Sequence, residues 1–192
     1  MTPPKRPPQT VTVLGAGIAG AGAARAFAAR GCEVKVIAPS GIADGASGVP
    51  SAALRPRLWR PTAHAAPDAE ILADAFRWTS RWLQDVASRR FRACGVLLCA
   101  VDADDEVKVR DRATNPATAD VVQWCGAAEA SRHAGVELPF GAAWIPTGGC
   151  VDLGGLVREL LEDARVTVCS QHGPEGASLV VDARARVPNG EV

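Results

Sequence analysis

The chain has 192 residues, 47% hydrophobic and 22% charged, a globular balance long enough to enclose a core without metal or disulfide support. Lysine plus arginine equal aspartate plus glutamate at 21 each, and the basic residues form no stripe, so charge argues for neither a nucleic-acid groove nor a membrane surface. Residues 1–10 hold no apolar core of signal-peptide length and no uncharged apolar run is long enough to span a bilayer, which fits a cytoplasmic location and no membrane partner.

Residues 1–10, with four prolines, are expected to form a disordered tail, and residues 11–192 a single domain. Thr10 to Leu14 is a short β-branched strand, a glycine-rich turn follows, and Ile18 to Arg30 is an alanine-rich helix with Gly31 as its terminating residue. Cys32 to Ile37 returns to strand composition, completing a strand–helix–strand unit that joins parallel strands. From Pro39 to Pro67 glycine, proline and serine mark a long functional loop. A helix from about Pro67 to Ser88 is expected to bury Ile71, Leu72, Ala75, Phe76, Thr79, Trp82, Leu83 and Val86, leaving Trp78 off the stripe.

Gly95 to Val101 reads as an inner strand, Asp104 to Ala113 as a polar helix, Thr114 to Thr118 as a loop and Val121 to Trp124 as a strand. A helix follows around Ala127 to Ala134, then a strand from Gly141 to Ile145 and a turn at Gly148–Gly149. Asp152 caps a helix from Leu153 to Asp163, and two strands, Val166 to Cys169 and Leu179 to Ala183, end the ordered part. The fold class is α/β, with no internal repeat.

The sharpest motif is Gly15-Ala16-Gly17-Ile18-Ala19-Gly20, placed where a strand hands over to a helix. Gly15 makes the tight turn, Gly17 lets a pyrophosphate approach the backbone, and Gly20 lets helix and strand pack closely. The N–H groups of Ile18, Ala19 and Gly20 open the helix, whose N-terminus attracts phosphate. An acid that would accept the adenosine ribose is absent: Ala38 stands there, followed by Pro39 and Ser40. No nearby arginine converts the site to one for a 2′-phosphate.

Residues 46–58, Ala-Ser-Gly-Val-Pro-Ser-Ala-Ala-Leu-Arg-Pro-Arg-Leu, are similar to a second fingerprint found downstream of such turns. With the first turn they resemble the D-amino-acid-oxidase-like FAD enzymes, and within them the C-terminal oxidoreductase domain of the bifunctional tRNA 5-methylaminomethyl-2-thiouridine biosynthesis proteins. Cys94-Gly95-Val96-Leu97, Glu129-Ala130-Ser131, Ala134-Gly135 and Pro146-Thr147-Gly148-Gly149 extend the resemblance in family order. It implies a Rossmann-like FAD-binding layer interrupted by part of an antiparallel substrate domain. It further implies FAD as cofactor and an amine-containing small molecule or a tRNA wobble uridine as partner, with a C–N bond oxidised and the imine hydrolysed.

By position, the resemblance gives Gly15, Gly17, Ile18, Ala19 and Gly20 to the pyrophosphate and Ser47 and Gly48 to the loop approaching the phosphates and flavin. Arg55, just after that loop, reads as a surface or structural residue, the alternative being that it faces a substrate carboxylate, and no residue is singled out as catalytic. Two departures are Val49-Pro50-Ser51, in place of a polar stretch, and the family's late glycine segment, which has no counterpart here. They support an alternative, a shortened and catalytically silent relative serving as a nucleotide-binding or interaction module.

Six scattered cysteines have no C-x-x-C pair and no histidine at metal-ligand spacing, so they read as reduced, mostly buried thiols with no metal. His64, His133 and His172 belong to no catalytic motif, and the acidic run at Asp102, Asp104, Asp105 and Glu106 reads as a solvated turn. Of five tryptophans, Trp59 and Trp144 are candidates for a substrate pocket.

Overall fold

The computed structural model describes residues 10–58, 66–86, 89–171 and 176–184. The expected tail lies outside them except for Thr10, which opens the first strand, and His64, Trp59 and His172 also lie outside. The chain divides into two compact units, residues 1–51 with 152–192, and residues 52–151. The α/β class holds, with a parallel layer interrupted in sequence by an antiparallel insertion.

In the first unit, strands β1 (Thr10–Leu14) and β2 (Glu33–Ile37) flank helix α1 (Ile18–Ala28) in sequence. Later in the chain the unit resumes with helix α5 (Leu153–Leu161), β9 (Val166–Cys169) and β10 (Leu179–Asp182), giving an all-parallel sheet of order β10-β1-β2-β9. In the register of this sheet Val13 pairs with Val36 and Val181, and Val36 with Val168, so one face is a continuous row of valines. α1 turns Ala21, Ala24 and Ala28 inward and packs against α5, which buries Leu156, Val157, Leu160 and Leu161. Alanine rather than leucine on α1 lets the helix axis lie close to the strands.

The terminating role expected of Gly31 is realised although regular helix ends at Ala28. The Cys32 N–H donates to Phe27 O and the Gly31 N–H to Ala28 O, with Gly31 at φ +84°, a Schellman closure.

In the second unit, β3 (Ala52–Leu54), β4 (Phe91–Arg92) and β8 (Gly149–Val151) form one antiparallel sheet, order β3-β8-β4. β5 (Val96–Cys99), β6 (Gln123–Cys125) and β7 (Ala142–Ile145) form another, order β5-β7-β6. Three strands, β3, β4 and β8, are too short to produce a readable alternation and were not expected. β5 is an edge strand and half-buried, not an inner one; the central place belongs to β7, where Ala142, Ala143 and Ile145 are fully buried.

Helices α2 (Ala66–Val86), α3 (Ala103–Ala113) and α4 (Ala127–Ala134) complete this unit, with a 3-10 turn at Pro116–Thr118 where a plain loop was expected. On α2 the buried positions are Ala69, Ala73, Phe76, Ser80 and Leu83. Ile71 is 65% exposed and Ala75 is also exposed, which corrects the expected stripe. Small residues define the true contact line, and a reading weighted toward large apolar side chains rotates the face away from it. Trp78 is exposed as expected and stacks on Trp82 at 6.2 Å. α2, α3 and β7 share a core containing Phe76, Val109, Val122 and Ile145.

Candidate functional site

β1 ends at Leu14, and Gly15 turns the chain at φ +100°, its N–H donating to Ile37 O at 2.9 Å. A Cβ at Gly15 would stand 3.2 Å from Ala183 O in a conformation that L side chains rarely adopt. Gly17 is the N-cap of α1, extended, and its carbonyl accepts the Ala21 N–H at 2.9 Å. Gly20 is buried, and a Cβ there would collide with Gly15 O while touching Val13. The roles assigned to these glycines as turn maker and packing spacer are therefore visible in the backbone.

The first turn of α1 carries no acidic side chain, and Ile18 and Ala19 are exposed. Two bonds tie the following loop to this turn. The Ala43 N–H donates to Ala16 O at 3.0 Å, with Ala43 itself at φ +57°, and the Ile18 N–H donates to Ser47 Oγ at 3.0 Å. Ser47 thus caps α1 from 29 residues away, in place of the side chain that Gly17 lacks. Gly48 closes a 3-10 turn over Ala46–Gly48, and a Cβ on it would strike Ala43 O. Gly48 also lies beside Gly154 in the first turn of α5, which Asp152 caps through the Gly155 N–H at 2.9 Å.

Gly15, Gly17, Ile18, Ala19, Gly20, Ser47 and Gly48 are thus brought to one place, at the carboxyl end of β1. This cradle of backbone donors, narrow over Gly15 and Gly17, fits a diphosphate. At the position expected for a ribose-binding acid, Ala38 is only 5% exposed and its N–H bonds to Cys169 O. Ser40, two residues on, is exposed.

Sequence reasoning missed one neighbour. β10 runs beside β1, so Ala183 and Arg184 arrive at the turn, and the Arg184 Cγ lies 3.4 Å from the Gly15 Cβ position. Its guanidinium is held by both carboxylate oxygens of Asp182, at 2.9 and 2.8 Å, which strengthens its hold on its proton. Nothing within its own segment signals this; the arginine reaches the turn through a strand pairing about 170 residues away in sequence.

Arg55 is exposed, in agreement with a surface reading. Trp144 is not a free pocket wall: its ring covers Gly95 and stacks on His133 at 4.2 Å. The acidic run is not a solvated turn but the start of α3, where Asp102 accepts the Asp105 N–H at 2.7 Å and Glu106 accepts the Gly141 N–H at 3.0 Å. Negative charge there complements the helix N-terminus. The cysteines are mostly not buried: Cys32 and Cys125 are, whereas Cys94, Cys99 and Cys150 are exposed. Burial pushes the Cys125 thiol up, and the nearby Glu129 adds to this.

Among the described residues no helix is long and apolar enough to cross a membrane. The chain is 31% identical over 167 residues to the tRNA 5-methylaminomethyl-2-thiouridine biosynthesis bifunctional protein of Pseudomonas entomophila, covering 86% of this chain and 25% of that protein. A Pseudomonas putida protein of the same name is 34% identical over 160 residues, covering 81% and 23%. The chain therefore spans about a quarter of the length of these curated relatives. The iminodiacetate oxidase of a Chelativorans species superposes with a TM-score of 0.62 at 22% identity, over 84% of this chain and 47% of that one. A Bacillus cereus glycine oxidase gives 0.60 at 16%, over 83% and 45%. At such identity the likeness establishes the fold. Residues 10–181 match the family described as DAO, FAD dependent oxidoreductase, and the chain belongs to that family.

Proposed function

We propose that residues 11–192 act as one FAD-binding oxidoreductase-like domain, and that the reaction is oxidation of a C–N bond in an amine or amino-acid group, including the modified wobble uridine of tRNA. The observation that carries this reading is the double tie of the 43–48 loop to the glycine turn, Ala43 to Ala16 and Ser47 to Ile18. It holds two segments about 30 residues apart around one opening lined by backbone donors. A pyrophosphate there would receive the N–H groups of Ala19 and Gly20, while Ser47, which accepts the Ile18 N–H, keeps its hydroxyl proton to donate outward. The aliphatic stem of Arg184 lies beside Gly15 while its guanidinium is paired with Asp182. FAD, when bound, supplies the two-electron acceptor, and the protein's task is to orient the amine and keep water from it until the imine forms.

The test has two stages. Titration with FAD should give a bound flavin spectrum in the natural chain and none in Gly17→Val, whose branched side chain would meet Ser47 Oγ, 3.1 Å from the Cβ position. Circular dichroism unchanged between the two separates loss of the site from loss of the fold. The flavin-loaded protein should then bleach anaerobically with an N-substituted glycine or a carboxymethylaminomethyl-uridine tRNA. Bound flavin that neither substrate bleaches would replace the oxidase reading with the nucleotide-binding one.

A further inference from the structure

We infer that Cys125, Glu129 and His133 form a three-ligand site for a zinc-type divalent cation in the second unit, with water as the fourth ligand. Cys125 ends β6, Gly126 caps α4, and Glu129 and His133 follow at four-residue steps, so all three fall on one side of the strand-to-helix junction. Their ligand atoms lie within 4.8 Å of one another. Metal bonds of 2.0–2.3 Å in a tetrahedron place ligand atoms about 3.3–3.7 Å apart, so no pair has to close by more than roughly 1.5 Å. The exposed Glu129 can swing toward the other two, Cys125 being fixed in a cluster with Ala130 and Ala142 and the His133 ring against Trp144.

Three features favour a metal over a chance meeting of side chains. His133 does not wander: its ring is stacked at 4.2 Å and 16° on Trp144, which the same cluster holds. The donor set of thiolate, imidazole and carboxylate suits zinc and excludes magnesium and calcium, which take oxygen ligands. Thiolate and carboxylate together balance a dication, so the occupied site is neutral where an unbalanced buried charge would be costly. Binding transfers the thiol proton to solvent as the sulfur–metal bond forms. Sequence scanning passes over the trio because no Cys–Cys or Cys–His pair is closely spaced; only the turn from β6 into α4 brings Cys125 onto the helix face.

The experiment uses the full chain with the exposed Cys94, Cys99 and Cys150 replaced by serine, titrated anaerobically with cobalt(II) as a coloured probe of zinc sites. One equivalent should bind with a thiolate-to-cobalt charge-transfer band, and zinc should bleach it. Cys125→Ala should remove the band; Glu129→Gln and His133→Ala, both at exposed positions, should weaken binding about tenfold or more. If Cys125→Ala does not fold by circular dichroism, the two helix variants carry the test. No band up to millimolar cobalt, a band that survives in folded Cys125→Ala, or affinity unchanged by both helix substitutions would overturn the site.

Discussion

Ser47 shows how much one hydroxyl can do when its partner has no side chain. Gly17 has no side chain to cap α1, and the cap that an N-terminal Ser or Asp would supply comes instead from Ser47. Ser47→Ala should therefore lower the stability of the cofactor-free protein by about 1 kcal/mol, measured by urea unfolding, and weaken FAD binding in the same variant. A variant that loses stability but binds FAD as before would confine Ser47 to the cap. Ala38 is the complementary case. A glutamate at this buried position would lack a partner until a ribose arrived, so Ala38→Glu should lower the unfolding midpoint without FAD and enlarge the stabilisation that FAD produces. The glycine motif was legible because its turn depends on local backbone geometry, whereas Ser47 entered only through the family resemblance and its cap across 29 residues was not read from the sequence. Arg184 was not legible, because its role depends on β10 lying next to β1.

Among elements, α1 and α2 show why some helices read correctly from sequence and others read askew. α1 begins and ends on glycines, and Gly20 sits against Gly15 O with no room for a methyl group. Gly20→Ala should destabilise the first unit by about 1–3 kcal/mol, seen as a lower urea midpoint, since strand and helix would have to separate. α2 had the right extent but the wrong face, because Ala69, Ala73 and Ser80 do the packing and Ile71 does not. α2 is also tied outward: Arg77 donates through Nε and a terminal nitrogen to Asp120, and pairs with Asp74. Arg77 holds the Asp120 carboxyl below its ordinary value. This contribution is fully present above the ordinary carboxyl pKa and is lost as pH falls through the lowered one. Unfolding midpoints of natural chain and Asp120→Asn should accordingly differ at pH 7 and converge in strong acid, with only a small difference because the pair is exposed.

For the whole molecule, the chain divides into a parallel layer that carries the glycine turn and an inserted antiparallel unit. FAD at a hundred times its dissociation constant should stabilise the folded chain by about 2.7 kcal/mol, and hydrogen exchange should slow most at residues 13–20 and 43–48. Protection elsewhere but not there would move the cofactor off the turn. The order of strands and helices in the first unit, the turn chemistry and the family were present in the chain itself, because β-branched runs, capping residues and a six-residue glycine motif act over short distances. The pairing of three-residue strands, the edge place of β5, the inward face of α2, the arrival of Arg184 and the meeting of Cys125 with His133 were not. Each of these is set by packing between segments distant in sequence, where small side chains and strand register, rather than local propensity, determine what touches what.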